Sequence, residues 1–342
     1  MTYKEIIADI KNGLTGDGEV DALYLESKID VYKNHALSEK ILGFCIDLLL
    51  EKLSEEERES LKEWVARPGA GIRAALDEVE DTMQAGDYTA ARKILEALIN
   101  EIEEIDDYVD NDTTVYRTFH EPFELIMYED KYKNNKQEII GVPEAFDDVY
   151  LSYGTLLMEL NEFKLARETF IKGQRWNPVN VNLLLSVADT YQVEDDLKKF
   201  FELTLEAFKI AFKAEQVARC YINLGDYFSI SKLYSPARVC YNLALIYDDE
   251  NNDSNDGLKY IELATGEKYD EVVAEEIESI SEEHGIPMGA DAKLITLATT
   301  CGEEALSEKN FVMARYYFET AYDIGDEAAI EKYLELVPEE LK

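Results

Sequence analysis

The sequence of 342 residues predicts an all-α protein whose helices form stacked hairpins, an α-helical solenoid. Apolar residues recur at spacings of three and four, which is the period of one helix face. A second observation is a pattern of small and aromatic residues that recurs four times at fixed spacings. The hydrophobic fraction of 46% is also too high for a disordered acidic chain, so the helices should pack into a core.

The chain is strongly acidic, with 73 Asp and Glu against 34 Lys and Arg and a net charge of −39. This charge repels a phosphate backbone, and the densest basic stretch, residues 131–136, is short and set among acids. We therefore expect no nucleic-acid partner. Residues 1–11 lack the apolar core of a signal peptide, and the longest apolar run, Ile41 to Leu50, contains Asp47. That run is too short to span a membrane, so we expect no membrane partner.

The four cysteines, Cys45, Cys220, Cys240 and Cys301, show no CxxC spacing. Cys220 and Cys240 each lie inside an apolar helical pattern, which favours buried thiols over a disulfide. Reduced thiols are typical of a reducing compartment. The expected location is cytoplasmic.

Residues 1–66 read as three or four helices ahead of the repeats. One helix is predicted from Ile41 to Leu53, and Ser54 with Glu57 forms a capping box that begins the next. Arg67 to Gly71 is rich in Pro and Gly and is the predicted boundary. The terminal unit of a stacked array must cover its apolar face, so residues 1–66 are interpreted as an N-terminal helical cap.

The clearest hairpin runs from Tyr150 to Pro178. Tyr150 and Gly154 belong to its first helix, and Asn161 with Glu162 marks the turn. Its second helix carries residues spaced four and three apart on one face: Ala166, Phe170 and Gly173. The small residues should let the two helices approach closely, and Pro178 should end the unit.

The same spacing recurs elsewhere in the chain. One copy has Tyr221, Gly225, Ala237, Tyr241 and Ala244, another has Gly302, Ala314, Phe318 and Ala321, and a weaker one has Val79, Ala91, Leu95 and Leu98. In all four copies an aromatic residue lies three positions before the alanine and an arginine directly follows it. The close approach of helices predicts that Ala237 is buried against Gly225.

These residues resemble the tetratricopeptide repeat, a helix-turn-helix unit of about 34 residues. The resemblance is firm over residues 147–251 and 290–342 and fair over 72–104, and its clearest units are 147–180, 218–251 and 295–328. Tyr150, Tyr221 and Ala298 replace the signature tryptophan of the family. The resemblance implies a right-handed superhelical solenoid over residues 72–342, of the cytoplasmic bacterial type.

The anchoring alanines are too far apart for adjacent repeats, so one degenerate unit is expected between each successive pair. The unit at 181–213 shows one, with Leu184, Ala188 and Tyr191 in its first helix. Residues 106–144 are read as a degenerate, acidic insert rich in aromatic residues: Tyr108, Tyr116, Phe119, Phe123, Tyr128 and Tyr132. The acidic stretch from Asp248 to Gly257 has the composition of a solvated loop.

The sequence predicts no catalytic residue, no metal site and no cofactor. Its histidines, His35, His120 and His284, share no short spacing, and nucleotide-loop and nucleophile-elbow motifs are absent. No register of the 248–257 stretch fits a calcium loop. The pairs Asp106-Asp107 and Asp147-Asp148 are attributed to the acidic composition. His120 beside Glu121 could act as a general base, although a polar residue at a turn is the favoured interpretation.

The resemblance implies that the first helix of each unit lines a partner-binding groove on the concave face. Carried onto this chain, the groove residues are Leu151, Thr155, Met158, Leu185, Asp189, Gln192, Ile222, Asp226 and Ser229. The alternative is that they face solvent or, where apolar, pack on a neighbouring helix. Repeats that clamp the carboxy-terminal acid of chaperones use Lys and Asn here, and Leu151, Thr155, Ile222 and Asp226 stand in their place.

These features predict a non-enzymatic scaffold or adaptor that binds proteins or peptides in this groove. The net charge and the mixed groove favour a basic, amphipathic partner. Two alternatives stay open: a peptide-sensing regulator, in which a short ligand shifts the superhelix, and an enzyme or phosphatase cofactor that uses the acids near His120. The sequence makes no prediction of oligomeric state or of whether residues 106–144 occupy the groove.

Overall fold

The protein was analysed as a computed structural model. The structure describes residues 3–16, 18–32, 41, 44–45, 48, 70–105, 108–132, 136–266, 268, 272–326 and 328–337. These residues contain sixteen helices and two strands. The helices are α1 (Tyr3–Asn12), α2 (Gly18–Tyr32), α3 (Ala70–Gln84), α4 (Tyr88–Glu103), α5 (Pro122–Lys131), α6 (Phe146–Glu159), α7 (Phe163–Trp176), α8 (Val181–Val193), α9 (Leu197–Phe208), α10 (Ala214–Ile230), α11 (Tyr234–Tyr247), α12 (Asn252–Thr265), α13 (Ala274–His284), α14 (Ala292–Ser307), α15 (Phe311–Asp323) and α16 (Ala329–Leu336).

The all-α, repeat-type fold class predicted from the sequence is confirmed. Helices α3 to α4, α6 to α7, α8 to α9 and α10 to α11 form successive hairpins, and α12 continues the stack. The second helix of each hairpin packs on the first helix of the next, and first helices of adjacent units also touch. Each unit therefore buries its apolar face against its neighbour, as a solenoid requires.

The N-terminal helices α1 and α2 share a small core of their own that includes Ile6, Ile10 and Leu25. The predicted capping box at Ser54 and Glu57 lies outside the described residues. Helix α3 begins at Ala70, within the proposed boundary. The cap and the limits of the two predicted domains, 1–66 and 72–342, stay predictions.

Four turns inside the hairpins share one backbone geometry. Asn161, Asp195, Lys232 and Lys309 have φ values of 60°, 63°, 59° and 62°, in the left-handed region. After Asn161, the N–H of Glu162 donates to the C=O of Leu157 at 2.8 Å, and the N–H of Leu233 likewise donates to the C=O of Phe228 at 2.8 Å. This Schellman arrangement satisfies carbonyl groups that a helix end leaves without partners.

Lys232→Gly should raise the free energy of unfolding by about 0.5–1 kcal/mol, because glycine adopts the left-handed conformation without the steric penalty of a side chain. Lys93→Gly is the control, since Lys93 lies exposed inside α4, where glycine should lower stability by a similar amount. Urea midpoints at constant slope would measure both changes. A loss of stability in Lys232→Gly would contradict the assigned turn.

A glycine of the first helix faces an aromatic ring of the second helix in three hairpins. A Cβ added at Gly154 would lie 2.2 Å from the Phe170 ring, and one added at Gly225 would lie 2.5 Å from the Tyr241 ring. At Gly302 the same contact with Phe318 would be 2.8 Å. The glycines are therefore required by ring packing.

The weak repeat has Val79 and Leu95 at the positions of this glycine and ring, and both are buried. Leu95 is smaller than the aromatic ring of the other hairpins. It therefore leaves room for Val79, which is larger than their glycine. Ala237 is fully buried, as predicted. The atoms closest to a Cβ at Gly225 nevertheless belong to the Tyr241 ring, so the close approach involves this aromatic side chain.

Tyr221, which replaces the signature tryptophan, holds the segment that leads to α14. Its buried hydroxyl donates to the C=O of Pro287 at 2.8 Å and accepts from the N–H of Gly289 at 2.7 Å. Burial raises the pKa of the Tyr221 hydroxyl, so it stays a donor across the physiological range.

The predicted loop from Asp248 to Gly257 is shorter than expected, because α12 begins at Asn252. The side chain of Asn251 caps this helix by accepting from the N–H of Ser254 at 3.0 Å. Gly257, which belongs to this helix, packs against the ring of Tyr241 on α11. The hairpin of α8 and α9 occupies the second gap between clear repeats, as the spacing of the alanines predicts, whereas in the third gap α12 continues the stack and α13 packs on α11.

The segment in the first gap, between the weak repeat and the clearest hairpin, does not form the expected helical hairpin. Residues 106–144 contain a β-α-β unit in which β1 (Thr114–Arg117) pairs in parallel with β2 (Glu138–Gly141) and α5 crosses between them. Thr114 is opposite Glu138, and Val115 is opposite Ile139. The β-branched and aromatic residues of these short segments favour strands, and a parallel pair needs such a crossover.

Helix α5 bridges the middle of the stack to the C-terminal hairpin of α14 and α15. Phe123 is fully buried, with its ring centroid 5.6 Å from Phe212 and 6.2 Å from Tyr317. The Tyr316 hydroxyl donates to Glu121 at 2.9 Å, and Lys293 pairs with Asp130 at 2.5 Å. The insert is therefore part of the hydrophobic core.

All four cysteines are free, and Cys45, Cys220 and Cys240 are buried. Burial raises the pKa of the Cys220 and Cys240 thiols. The prediction of buried thiols in place of a disulfide is confirmed for Cys220 and Cys240.

Candidate functional site

A cleft of about 770 Å³ runs across the first helices of four successive units, α6, α8, α10 and α12. We call it the acidic cleft, after the four aspartates among its lining residues: Asp189, Asp226, Asp253 and Asp256. Six of the nine predicted groove residues line it: Met158, Asp189, Gln192, Ile222, Asp226 and Ser229. Ile222 and Ser229 are mostly buried in its floor.

The other three predicted groove residues lie elsewhere. Leu151 and Thr155 line a neighbouring cleft of about 920 Å³ between α3 and α6. Leu185 is fully buried, in the hydrophobic cluster that also contains Met127 and Phe208. Its prediction as a groove residue was therefore wrong: the alternative reading, packing on neighbouring elements, describes it.

Asp189 is compensated within the protein. Arg219 Nη2 donates to Asp189 Oδ2 at 2.8 Å, and Asn223 Nδ2 donates to Asp189 Oδ1 at 2.8 Å. Burial raises the pKa of Asp189, and Arg219 opposes that rise by stabilising the carboxylate. Asp189 therefore links α8 to α10, and its negative charge is compensated by Arg219.

Asp226 lacks such a cation. It accepts from the Tyr241 hydroxyl at 2.7 Å and from Gln192 Nε2 at 3.4 Å. Burial raises the pKa of Asp226, and the negative charges of Asp189 and Asp253 raise it further. Within the described part of the chain, no lysine or arginine lies within ion-pair distance of Asp226 or Asp253, whereas Asp256 pairs with Lys259 at 2.8 Å.

Apolar side chains stand beside these acids. Val193 and Ile230, at the ends of α8 and α10, are 48% and 45% exposed, and Tyr260 on α12 is 53% exposed. Exposed apolar groups next to uncompensated carboxylates can receive a cation carried on an apolar stem.

A second cluster of polar side chains surrounds His120, at the junction of the insert with the repeats. His120 Nε2 lies 2.9 Å from Asp147 Oδ2 and 3.5 Å from Asp148 Oδ1. The buried Asp147 also accepts from Thr118 Oγ1 and from Asn180 Nδ2, each at 2.9 Å. The Asp147-Asp148 pair therefore has a specific role that composition alone does not explain.

His120 is protonated at neutral pH. The hydrogen bond to Asp147 raises the pKa of His120 to about 9, and the negative charges of Asp147, Asp148 and Glu124 add to this effect. Burial opposes the ionisation of Asp147, yet the hydrogen bonds from His120, Asn180 and Thr118 outweigh it and hold the pKa of Asp147 below its usual value. Glu124 accepts from the His120 backbone N–H at 2.7 Å.

The ligand atoms of His120, Asp147 and Asp148 lie within 4.8 Å of one another, which is the spacing of a metal site. An imidazolium cannot coordinate a metal, so a cation would have to displace its proton and break the Asp147 bond. The geometry supports an ion pair that ties the insert to α6 and α8. Glu121, the acid suggested as a catalytic partner, turns away from His120 toward Tyr316 and Lys213.

The stability of the protein should fall as the pH rises through the pKa of His120. Because the folded-state pKa of about 9 exceeds the ordinary value of 6.5, protonation favours the folded state. This contribution is complete below about pH 6.5 and is lost as the pH approaches about 9. The difference in urea midpoint between the wild type and His120→Gln should shrink across this interval. His284→Gln is the control, and a constant difference for His120→Gln would contradict the ion pair.

The hairpin of α6 and α7 is similar to a known protein family. The family model described as Tetratricopeptide repeat matches residues 147–180, which comprise this hairpin and the turn into α8. Residues 147–180 are therefore a tetratricopeptide repeat. The resemblance predicted from Tyr150, Gly154, Ala166 and Phe170 is thus confirmed.

The chain is also similar to solved structures, of which fourteen chains match. One is the crystal structure of a tetratricopeptide repeat protein from Parabacteroides merdae, with 12% sequence identity and a TM-score of 0.27. The match covers 78% of this chain and 99% of that one. No curated protein matches the sequence. In the part of the chain that the structure describes, no helix combines the length and apolar character needed to cross a bilayer.

Proposed function

We propose that the protein is a non-enzymatic scaffold that binds a protein or peptide in the acidic cleft. The observation that carries the proposal is the pair of uncompensated aspartates, Asp226 and Asp253, beside the exposed Val193 and Ile230. Tetratricopeptide repeats generally bind proteins or peptides, which supports the same role.

The partner segment is basic and amphipathic. A Lys or Arg of the partner would relieve the repulsion among Asp189, Asp226 and Asp253, which now raises the pKa of Asp226. Leucine or similar side chains on the same segment would cover Val193 and Ile230. The net charge of −39 would in addition speed the approach of basic segments at low salt.

Asp226→Asn with Asp253→Asn should weaken binding of a basic amphipathic probe mainly through a slower association rate. The probe is a peptide of about 15 residues with Leu at helical spacing on one face and Lys on the other. A peptide with Glu in place of each Lys is the negative control. We expect surface plasmon resonance to show a reduced salt dependence of association for this variant. Ile230→Ser should instead raise the dissociation rate.

Glu168→Gln with Glu278→Gln is the matched control, because it removes the same charge from exposed positions on the second helices α7 and α13. This control should retain wild-type dissociation and a larger share of the salt dependence. The proposal is wrong if both double variants change binding equally, or if the acidic peptide binds as well as the basic one.

We also propose that the scaffold works in the cytoplasm. The free state of all four cysteines supports a reducing compartment. Localisation of the tagged full-length chain, compared with periplasmic and cytosolic markers, would test this.

A further inference from the structure

A second cleft, of about 650 Å³, lies between α5, α9 and α14. We call it the lysine cleft. Its floor is apolar and is formed by Met127, Leu184, Leu203, Ile210, Leu294 and Leu297. Its volume is that of a small-molecule site, and residues of α7 and α8 complete its lining. It is distinct from the acidic cleft, with which it shares no lining residue.

Most charges around the lysine cleft are paired within the protein. Lys209 pairs with Glu206 at 2.6 Å, and Lys293 pairs with Asp130 at 2.5 Å. The remaining acid, Asp291, caps α14 by accepting from the N–H of Lys293 at 2.8 Å. The two ion pairs therefore contribute little net charge to a ligand, and the charge of Asp291 is partly offset by the N-terminus of α14, which it caps.

Lys131 is the exception. Its Nζ lies 3.5 Å from the C=O of Pro178 and 5.6 Å from the centroid of the Tyr132 ring. Among the described residues no carboxylate reaches ion-pair distance of this Nζ. Burial lowers the pKa of Lys131, and Glu206, itself paired with Lys209, opposes that change only in part. Lys131 is exposed, so its ammonium group is accessible to an anion from solvent. In a chain with 73 acids and 34 cations, a lysine without an acid beside an apolar cleft favours an anionic ligand.

We propose that the lysine cleft binds a small amphipathic carboxylic acid, an unbranched apolar chain that ends in one carboxylate. The carboxylate pairs with Lys131, and the chain lies on the leucine-rich floor. One uncompensated cation fits a monoanion, and the paired charges at the rim leave no second cation for a phosphate dianion.

Burial of the chain must supply most of the affinity, because the net charge of −39 repels any free anion. Each added methylene should then increase the affinity about fourfold until the floor is covered. A ligand held by charge alone would show no such dependence. The length series therefore separates the two contributions.

The test is isothermal titration of the full chain with hexanoate, octanoate and decanoate, with decanol and decyltrimethylammonium as controls. We expect decanoate to bind about tenfold or more tightly than octanoate, and decanol and the ammonium salt to bind at least tenfold more weakly than decanoate. Lys131→Gln should weaken decanoate at least tenfold, Lys131→Arg should retain most of the affinity, and Lys209→Gln should change it less than twofold. Circular dichroism would verify that each variant is folded.

Equal binding of decanoate and decanol, an unchanged affinity in Lys131→Gln, or a flat length series would overturn the proposal. Asp226→Asn should leave decanoate binding unchanged, so the outcome is independent of the peptide experiments on the acidic cleft. A loss of decanoate binding in Lys209→Gln with full binding in Lys131→Gln would also overturn it.

Discussion

Phe123→Ala should lower the free energy of unfolding by about 3–5 kcal/mol, because it empties a fully buried site between Phe212 and Tyr317. The loss should concentrate at the contact of α5 with the C-terminal hairpin. We expect hydrogen exchange to accelerate in α14 and α15 while α6 and α7 keep their protection. Chemical denaturation of the full chain gives the overall change.

Tyr322→Ala is the control for this variant. Tyr322 lies on α15 and is 50% exposed, so its truncation should lower stability by less than about 1 kcal/mol. A Phe123→Ala protein whose exchange rates rise equally in every hairpin would show that α5 does not connect the C-terminal hairpin to the stack.

Gly154→Val should lower the free energy of unfolding by about 3 kcal/mol. The new Cβ would lie 2.2 Å from the ring of Phe170, which is buried, so the overlap must be relieved by movement within the core. Valine favours a helix over glycine by only a few tenths of a kcal/mol, which does not offset the overlap. Thermal and urea midpoints of the single variant measure the loss.

Adding Phe170→Leu to Gly154→Val should restore at least half of the lost stability. The double variant reproduces the pair Val79 and Leu95, which the first hairpin already buries together. Phe170→Leu alone is the control and should be destabilising, because it leaves a cavity beside Gly154. Additive losses in the double variant would refute a direct contact between the two positions.

The hairpins could be predicted from the sequence because their geometry is local. Gly154 and Phe170 lie on the two helices of one hairpin, and the helical period places them opposite each other once the turn at Asn161 is identified. The same spacing joins Gly225 to Tyr241. Patterns of this length fall within one unit, where local propensity and packing agree.

The contacts between distant segments could not be predicted in this way. His120 and Asp147 are 27 residues apart and meet only because the β-α-β unit returns the chain to the start of α6. The strands β1 and β2 have four residues each, too few for a clear alternation of apolar and polar residues. Their pairing depends on a crossover that the composition does not reveal.

The acidic cleft was predicted in part for the same reason. The positions of Asp226 and Ile222 on α10 follow from the helical period, whereas Leu185 is covered by a cluster that includes residues of α5. The compensation of Asp189 by Arg219 joins two units and depends on their exact stacking, so the sequence alone treats Asp189 and Asp226 as equivalent.

The bridge made by α5 affects how the chain behaves while it is being synthesised. Phe123 donates its backbone N–H to the hydroxyl of Tyr316, which lies 193 residues later in the sequence. At a synthesis rate of roughly 5–20 residues per second, the ribosome needs about 10–40 seconds to deliver Tyr316 after Phe123. The hairpins from α6 to α11 can form during this interval, but the aromatic face of α5 lacks its final partner. The nascent chain therefore exposes an aggregation-prone aromatic surface for tens of seconds. Its folding yield should respond to chaperones at that stage more than at any other.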